Sequence, residues 1–349
     1  MVMVKLLHLH LMLTTLTQIS SCSNFIMDND FVISARTMDL GVGLSFGIGT
    51  TPVSSQLGTL AYPIARHGFV GFVPIEVGIV LKHFVTAGLN SVGVSCDQQT
   101  LLHTVYPNAT GNTSTDVGID YFCEYVLGNV ENITSLQSDL LHKRVTPHGA
   151  SVAGGQHFVV RDASGDSLVV EFLDGTVTAT RDQNDGKSGF GVMTNEPSFS
   201  WQVENARHAM WKLKNTRPSF TIPGSFYPDE RFLRIHLFKS VLPTPKTNVE
   251  AIQQAVHVMN GVTVPGGNQM GTDSSKGEGE GDHTLFGVVY DHAERVVYWR
   301  TQSNQNLQRL RLVDAKISLK NETRGKILFG YGNNDLPWYH DASSSIKRK

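Results

Sequence analysis

The sequence predicts an α+β layered domain, and three observations carry that expectation. Apolar strands joined by short polar turns occur near the start, middle and end; five stretches carry helical spacing; and the two kinds alternate in blocks, not as regular βαβ units. With 349 residues, 40% hydrophobic, 33 Gly and 13 Pro, the chain can bury a substantial core and needs many turns.

The first hairpin runs from Ser23-Asn24-Phe25-Ile26-Met27 through the polar break Asp28-Asn29-Asp30 to Phe31–Met38, so Cys22 stands at the start of a strand. Residues 66–75 give another strand, and helical spacing follows at 115–127 and 134–143. His157–Asp162 and Asp166–Phe172 form a hairpin about Ala163-Ser164-Gly165, with a further strand at 176–181. Helical spacing returns at 202–214, 229–241 and 247–259. The middle one is the best marked, because Pro228, Asp229 and Glu230 stand where a first turn favours proline and acids. Residues 266–282 lack apolar periodicity and read as a surface loop. Thr284–Tyr290 and Arg295–Arg300 make the last hairpin, and Asp341–Lys349 reads as a frayed, basic end.

Charge and spacing exclude several classes. Lys plus Arg number 29 against 31 Asp plus Glu, a formal charge of -2, and no basic stripe follows the chain, so nucleic acid is not an expected partner. After the first residues no stretch approaches the ~20 apolar residues of a membrane span, so the mature chain reads as soluble. The 14 His and 3 Cys show neither Cys-x-x-Cys nor His-Glu-x-x-His spacing, and no metal site is expected. The acidic run Gly277–Asp282 lacks the ligand spacing of a calcium loop.

Lys5, the apolar run Leu6–Leu13 and the small polar residues up to Ser21 have the outline of a signal peptide. The expected division is a leader at 1–21, one folded domain at 22–325 and a tail at 326–349. Sequons at Asn108, Asn112, Asn132 and Asn321, taken with the leader, favour a secreted or lysosomal glycoprotein over a lipoprotein lipidated at Cys22. Three cysteines leave at least one without a disulfide partner in the chain. In an oxidising compartment Cys96 and Cys123 can pair, with Cys22 the thiol expected to stay outside a disulfide.

Cleavage after Ser21 would put a thiol and an α-amine on the same residue, Cys22. An α-amine titrates at roughly 7.7–8.0, against about 10.4 for lysine, so it can take the thiol proton at neutral pH without a histidine. Arg36 and Asp39 follow Cys22 by 14 and 17 residues, and the hairpin folds both back beside the first strand. There Arg36 would lower the thiol pKa and Asp39 would hold the amine. Two other nucleophile arrangements are disfavoured. Gly43-Leu44-Ser45-Phe46-Gly47 matches a nucleophile elbow, but Phe46–Pro52 reads as loop or strand where that motif needs a helix. A Cys22–His157 dyad is conceivable, but His157 is expected to face the sheet as a hydrogen-bonded histidine.

Cys22-Ser-Asn-Phe followed by Ala35-Arg36-Thr37-Met38-Asp39 resembles the start of the choloylglycine hydrolase and penicillin V acylase family, whose mature chains begin with the nucleophilic cysteine and carry an Arg-x-x-Asp motif on the next strand. Thr194-Asn195-Glu196-Pro197, with Trp201-Gln202 beyond it, is similar to that family's Thr-Asn-x-Pro block. Gly224, Ser225 and Arg231-Phe232-Leu233-Arg234 are similar to its Arg-Phe-x-Arg helix. Val264-Pro265-Gly266, Thr284–Tyr290 and Tyr298–Thr301 are similar to its C-terminal hairpin. The likeness spans about residues 22 to 315. It implies a four-layer αββα sandwich of the N-terminal-nucleophile hydrolase type and cleavage of a linear amide through a Cys22 thioester, with no cofactor. By the same resemblance Arg36 and Asp39 support Cys22, Asn195 donates to the oxyanion, and Arg231 is catalytic or scaffolding. Asn195→Ala is then expected to lower turnover with little change in thermal stability.

The chain departs from the family in two ways. Its Cys-to-Arg spacing is shorter than that of the bile-salt hydrolases. Where those enzymes have Asn, and many penicillin acylases an aromatic residue, the alignment places Thr100, with Gln98 and Gln99 beside it, a change that bears on substrate choice and sets this chain apart from the bile-salt hydrolases. The expected substrate is a small N-acyl amide with an apolar acyl part and a small polar amine part; a homo-oligomer stays open. The rival expectation is a secreted glycoprotein that keeps the fold as a binding module without turnover.

Overall fold

The structure is a computed structural model that describes residues 22–40, 45–76, 79–147, 155–182, 189–215, 222–266 and 283–314. The leader, the run 277–282, Asn321 and the tail lie outside the described residues. Six strands form one sheet: β1 (Ser23–Ile26), β2 (Ile33–Leu40), β13 (Val192–Met193), β14 (His283–Asp291), β15 (Val296–Thr301) and β16 (Gln308–Arg311), in the order β13-β1-β2-β14-β15-β16. The second sheet, in the order β12-β11-β10-β7-β6-β4-β3, holds β3 (Ser45–Thr51), β4 (Phe69–Glu76), β6 (Ala87–Asn90), β7 (Ser95–Thr100), β10 (Gln156–Arg161), β11 (Ser167–Leu173) and β12 (Thr176–Arg181), with β5 (Ile79–Val80) beside β4. The two sheets pack face to face. Phe46, Ile48, Val70, Phe72 and Leu89 of the second meet Met38, Phe286, Val288 and Trp299 of the first.

Helices cover both outer faces. α1 (Phe122–Asn129) and α2 (Ile133–Leu140) lie on the second sheet, where Phe122, Val126 and Leu136 pack with Phe158, Val160 and Val170. α3 (Phe199–Asn215), α4 (Pro228–Val241) and α5 (Asn248–Asn260) lie on the first, where Phe232, Ile235, Ala255 and Met259 pack with Phe25, Ala35 and Val289. On β14 a Cβ at Gly287 would stand 2.7 Å from the Met259 sulfur, so its absence lets α5 approach. The helix starts follow local chemistry. The Asn132 side chain accepts from Ser135 N–H at α2, Thr247 accepts from Glu250 N–H at α5, and Pro228 opens α4 with Asp229 and Glu230 in its first turn.

One expected helix changes. The spacing at 115–127 predicts helix throughout, but Asp116–Gly118 forms β8, paired in parallel with β9 (Arg144–Thr146), and the α-helix begins only at Phe122. Thr110 and Gly111 donate their N–H groups to the Asp116 carboxylate, which holds the chain in a loop ahead of that short ribbon. Ser45 lies within β3 with strand continuing to Thr51, so the elbow geometry is not formed. Cys96 of β7 and Cys123 of α1 form a disulfide, leaving Cys22 as the cysteine outside it. No helix among the described residues is long and apolar enough to cross a membrane.

Candidate active site

Strand alternation decides where the first hairpin sends its side chains. Ser23 pairs with Thr37 and Asn24 with Arg36, so β2 folds back along β1. Residues an even number apart share a face. Arg36 and Met38 therefore point between the sheets, and Thr37 and Asp39 point to the other side. The 14- and 17-residue spacings thus place the guanidinium and the carboxylate on opposite faces of one strand, flanking Cys22.

Between the sheets, the Cys22 sulfur sits in the apolar cluster with Met38, Phe46 and Phe286, and Arg36 Nη2 donates to it at 3.6 Å. Arg36 is fully buried; Nη1 donates to the Thr86 carbonyl at 2.8 Å, and Nε and Nη2 donate to that of Thr37. On the opposite face Asp39 accepts from the Thr284 hydroxyl at 2.6 Å and from that of Thr37 at 3.0 Å. The Thr37 hydroxyl in turn accepts from Ser23 N–H at 3.1 Å, which ties Asp39 to the start of β1. Burial pushes the Asp39 carboxyl up to about 6, against the lowering effects of Arg231, Thr284, Thr37 and Arg36.

Arg231, on the buried side of α4, joins three parts of the site. Nη1 donates to the Cys22 carbonyl at 2.6 Å and the Ser23 hydroxyl at 2.7 Å, Nη2 donates to Asn195 Oδ1 at 3.0 Å, and Nε donates to the Phe226 carbonyl at 2.8 Å. Burial lowers its pKa, against Asp39 and Cys22, and a guanidinium keeps its charge in a protein. By occupying Oδ1 it fixes the Asn195 amide with its nitrogen turned away from Arg231, and Nδ2 donates to the Thr100 carbonyl at 3.0 Å. The turn behind Asn195 is held by Gln202, whose Nε2 donates to the Asn195 and Pro197 carbonyls at 2.7 and 2.9 Å.

The structure therefore brings Cys22, Arg36, Asp39, Asn195, Arg231 and Thr100 together. It does not bring in His157, whose Nδ1 lies 3.3 Å from Glu171 Oε1 within the second sheet. Among the described residues no three His, Cys, Asp or Glu side chains converge as a metal ion would need. Asn108, Asn112 and Asn132 are all exposed. Sequence reasoning missed Thr37 and Thr284, which clamp Asp39, and Asp97, which faces Arg36. Thr37 was legible, lying inside the Arg-x-x-Asp motif; Thr284 and Asp97 reach the site only through the fold.

Residues 22–327 match the model of the family described as linear amide C–N hydrolases, choloylglycine hydrolase family. An uncharacterized protein of Paramecium bursaria Chlorella virus 1 is 25% identical over 301 residues, covering 82% of this chain and 98% of that one. The penicillin V acylase of Pectobacterium atrosepticum is 29% identical over 250 residues, 64% of this chain and 61% of that one. Among solved structures, a mutant of the conjugated bile acid hydrolase from Clostridium perfringens superposes with a TM-score of 0.70 at 17% identity, over 87% of this chain and 96% of that one.

Proposed function

We propose, for a chain that belongs to the choloylglycine hydrolase family of linear amide C–N hydrolases, that Cys22 becomes the first residue of the mature protein and attacks the substrate amide. The fold is that of the N-terminal-nucleophile hydrolases, and the activity is hydrolysis of linear amide C–N bonds. The observation that carries the finer proposal is the placement of the thiol outside the disulfide at the head of β1, with Arg36 Nη2 3.6 Å from its sulfur and Arg231 bound to its carbonyl.

Removal of residues 1–21 turns the Cys22 backbone nitrogen into an amine, which takes the thiol proton. The thiolate, beside Arg36, adds to the amide carbonyl carbon. The oxyanion then formed accepts from the second N–H of Asn195 Nδ2 and from the Thr100 backbone N–H. Collapse breaks the C–N bond, and the leaving amine takes the proton from the terminal ammonium. Water, deprotonated by the terminal amine, adds to the thioester, releasing the acid and restoring the thiol. The apolar surroundings of Cys22, where the Phe286 ring contacts those of Phe46 and Phe72, favour an apolar acyl group. Incubation of the mature protein with penicillin V or an N-acylglycine, acid quenching and peptide mapping should show an acyl adduct on Cys22. Turnover that persists after Cys22 has been fully alkylated would count against the proposal.

The Asp39 carboxyl gives a pH signature. Its folded-state value of about 6 lies above the ordinary 3.8, so its contribution to folding stability is complete below pH 3.8 and is lost as the pH rises through about 6. Holding the terminal amine needs the ionised form, so kcat/KM should fall on the acid side as the carboxyl is protonated, with a midpoint that the new ammonium beside it draws below about 6. In Asp39→Asn this limb should vanish along with most of the activity; an unchanged limb would assign it to another group.

We also propose export through the secretory route, with glycans on Asn108, Asn112 and Asn132. The Cys96–Cys123 disulfide supports an oxidising compartment. Loss of mass on N-glycosidase treatment of the secreted protein is the expected result; an unchanged mass contradicts it.

A further inference from the structure

We propose that Asp97 is a positioning residue for the nucleophile, acting through Arg36 to set how much of the buried guanidinium's charge reaches the Cys22 sulfur. The inference rests on the reading of Cys22 as nucleophile.

Asp97 lies on β7, fully buried, and faces three adjacent strands of the other sheet. From β1, Asn24 Nδ2 donates to its Oδ2 at 2.7 Å; from β14, the Tyr290 hydroxyl donates to its Oδ1 at 2.9 Å; and from β2, Arg36 Nη1 stands 3.9 Å from that same Oδ1. The Asn24 amide cannot turn over freely, because its Oδ1 accepts from Arg161 Nε and Nη2 at 3.2 and 2.9 Å. The carboxylate is thus pinned on one side of Arg36, and the sulfur lies 3.6 Å from Nη2. Among the described residues, Asp97 is the carboxylate within ion-pair distance of Arg36.

The consequence follows from charge. A buried cation beside a thiol favours the thiolate, and an anion held on the same cation opposes that pull. The charged groups around the thiol are Arg36 and Asp39 of β2 and Arg231 of α4; those around Asp97 are Arg36 and Arg161 of β10, with the Tyr290 hydroxyl. With Asp97 ionised, Arg36 is partly neutralised and Cys22 keeps its proton for the terminal amine to remove. Without it, no carboxylate among the described residues stands within ion-pair distance to offset the Arg36 charge felt by the sulfur, and the thiolate formed is less basic and a weaker nucleophile.

The test is the pH dependence of Cys22 alkylation by iodoacetamide in the mature protein, followed by mass and by loss of amidase activity. Cys96 and Cys123 are paired, so the reagent reports on Cys22 alone. In Asp97→Asn the midpoint should move down by about one pH unit relative to wild type. Asp97→Glu, which keeps the charge, should return it towards the wild-type value. Should Asp97→Asn not fold, Asp97→Ser is smaller, keeps an acceptor and should give the same downward shift. A midpoint unchanged or raised in the neutral variants, whatever their melting temperature, overturns the assignment and leaves Asp97 a structural residue. Wild-type activity that survives complete alkylation of Cys22 overturns the nucleophile reading and this inference with it.

Discussion

Replacing Cys22 by alanine should lower amide hydrolysis by on the order of a million-fold, the scale seen when a covalent nucleophile is removed from a hydrolase. Folding should be nearly spared. The side chain behaves as a small buried hydrophobe among Met38, Phe46 and Phe286, and losing one sulfur atom there costs about 1 kcal/mol. Arg36 keeps its bonds to the Thr86 and Thr37 carbonyls when the sulfur is gone, so the guanidinium is not stranded. Activity assay and thermal melting on the same preparation check both halves. A Cys22→Ala protein as active as wild type on N-acyl amides would end the covalent mechanism.

The second large effect is at Asn195, where two substitutions separate two roles. Asn195→Asp keeps the size of the side chain and the acceptor for Arg231, but removes the Nδ2 donor and sets an oxygen against the Thr100 carbonyl. Loss of an oxyanion donor typically costs about a hundred- to a thousand-fold in kcat, and that is the expected fall, with KM changed far less. Asn195→Ala should lose a similar amount of rate and also about 1–3 kcal/mol of stability, because Arg231 Nη2 and the Thr100 carbonyl both lose a buried partner. From the sequence alone Asn195→Ala is expected to spare stability. The hydrogen bonds at both ends of the amide replace that expectation. Equal kcat in wild type and Asn195→Asp would remove Asn195 from the oxyanion site.

The parts of the fold that were legible are those written in local patterns. The hairpins Phe158–Val170, Val288–Trp299 and Phe25–Ala35 carry apolar residues in strand register, and α4 is announced by Pro228, Asp229 and Glu230. β7 carries no such pattern. Ser95-Cys96-Asp97-Gln98-Gln99-Thr100 has no β-branched residue before Thr100 and no aromatic at all, and it is buried because it runs through the middle of a sheet facing a polar layer. Asp97 is invisible for the same reason: its partners Asn24, Arg36 and Tyr290 lie between 61 and 193 residues away along the chain. The 115–127 segment shows the converse failure, where helical spacing begins too early because Asp116–Gly118 takes its partners from Arg144–Thr146.

The site itself was legible wherever strand parity and motif agreed. Arg36 and Asp39 could be placed beside Cys22 from a hairpin and two spacings, and the structure adds that they flank it on opposite faces of β2. Arg231 shows what a motif leaves out. A resemblance singles it out, but only the fold shows one guanidinium binding the Cys22 carbonyl, the Ser23 hydroxyl and Asn195 Oδ1 at once.

N-terminal sequencing of the purified, catalytically competent protein bears most directly on the chemistry. The first cycle should read cysteine, followed by Ser23-Asn24-Phe25. Full amidase activity in a polypeptide that still carries any residue joined to the Cys22 nitrogen would contradict the use of that nitrogen as the base.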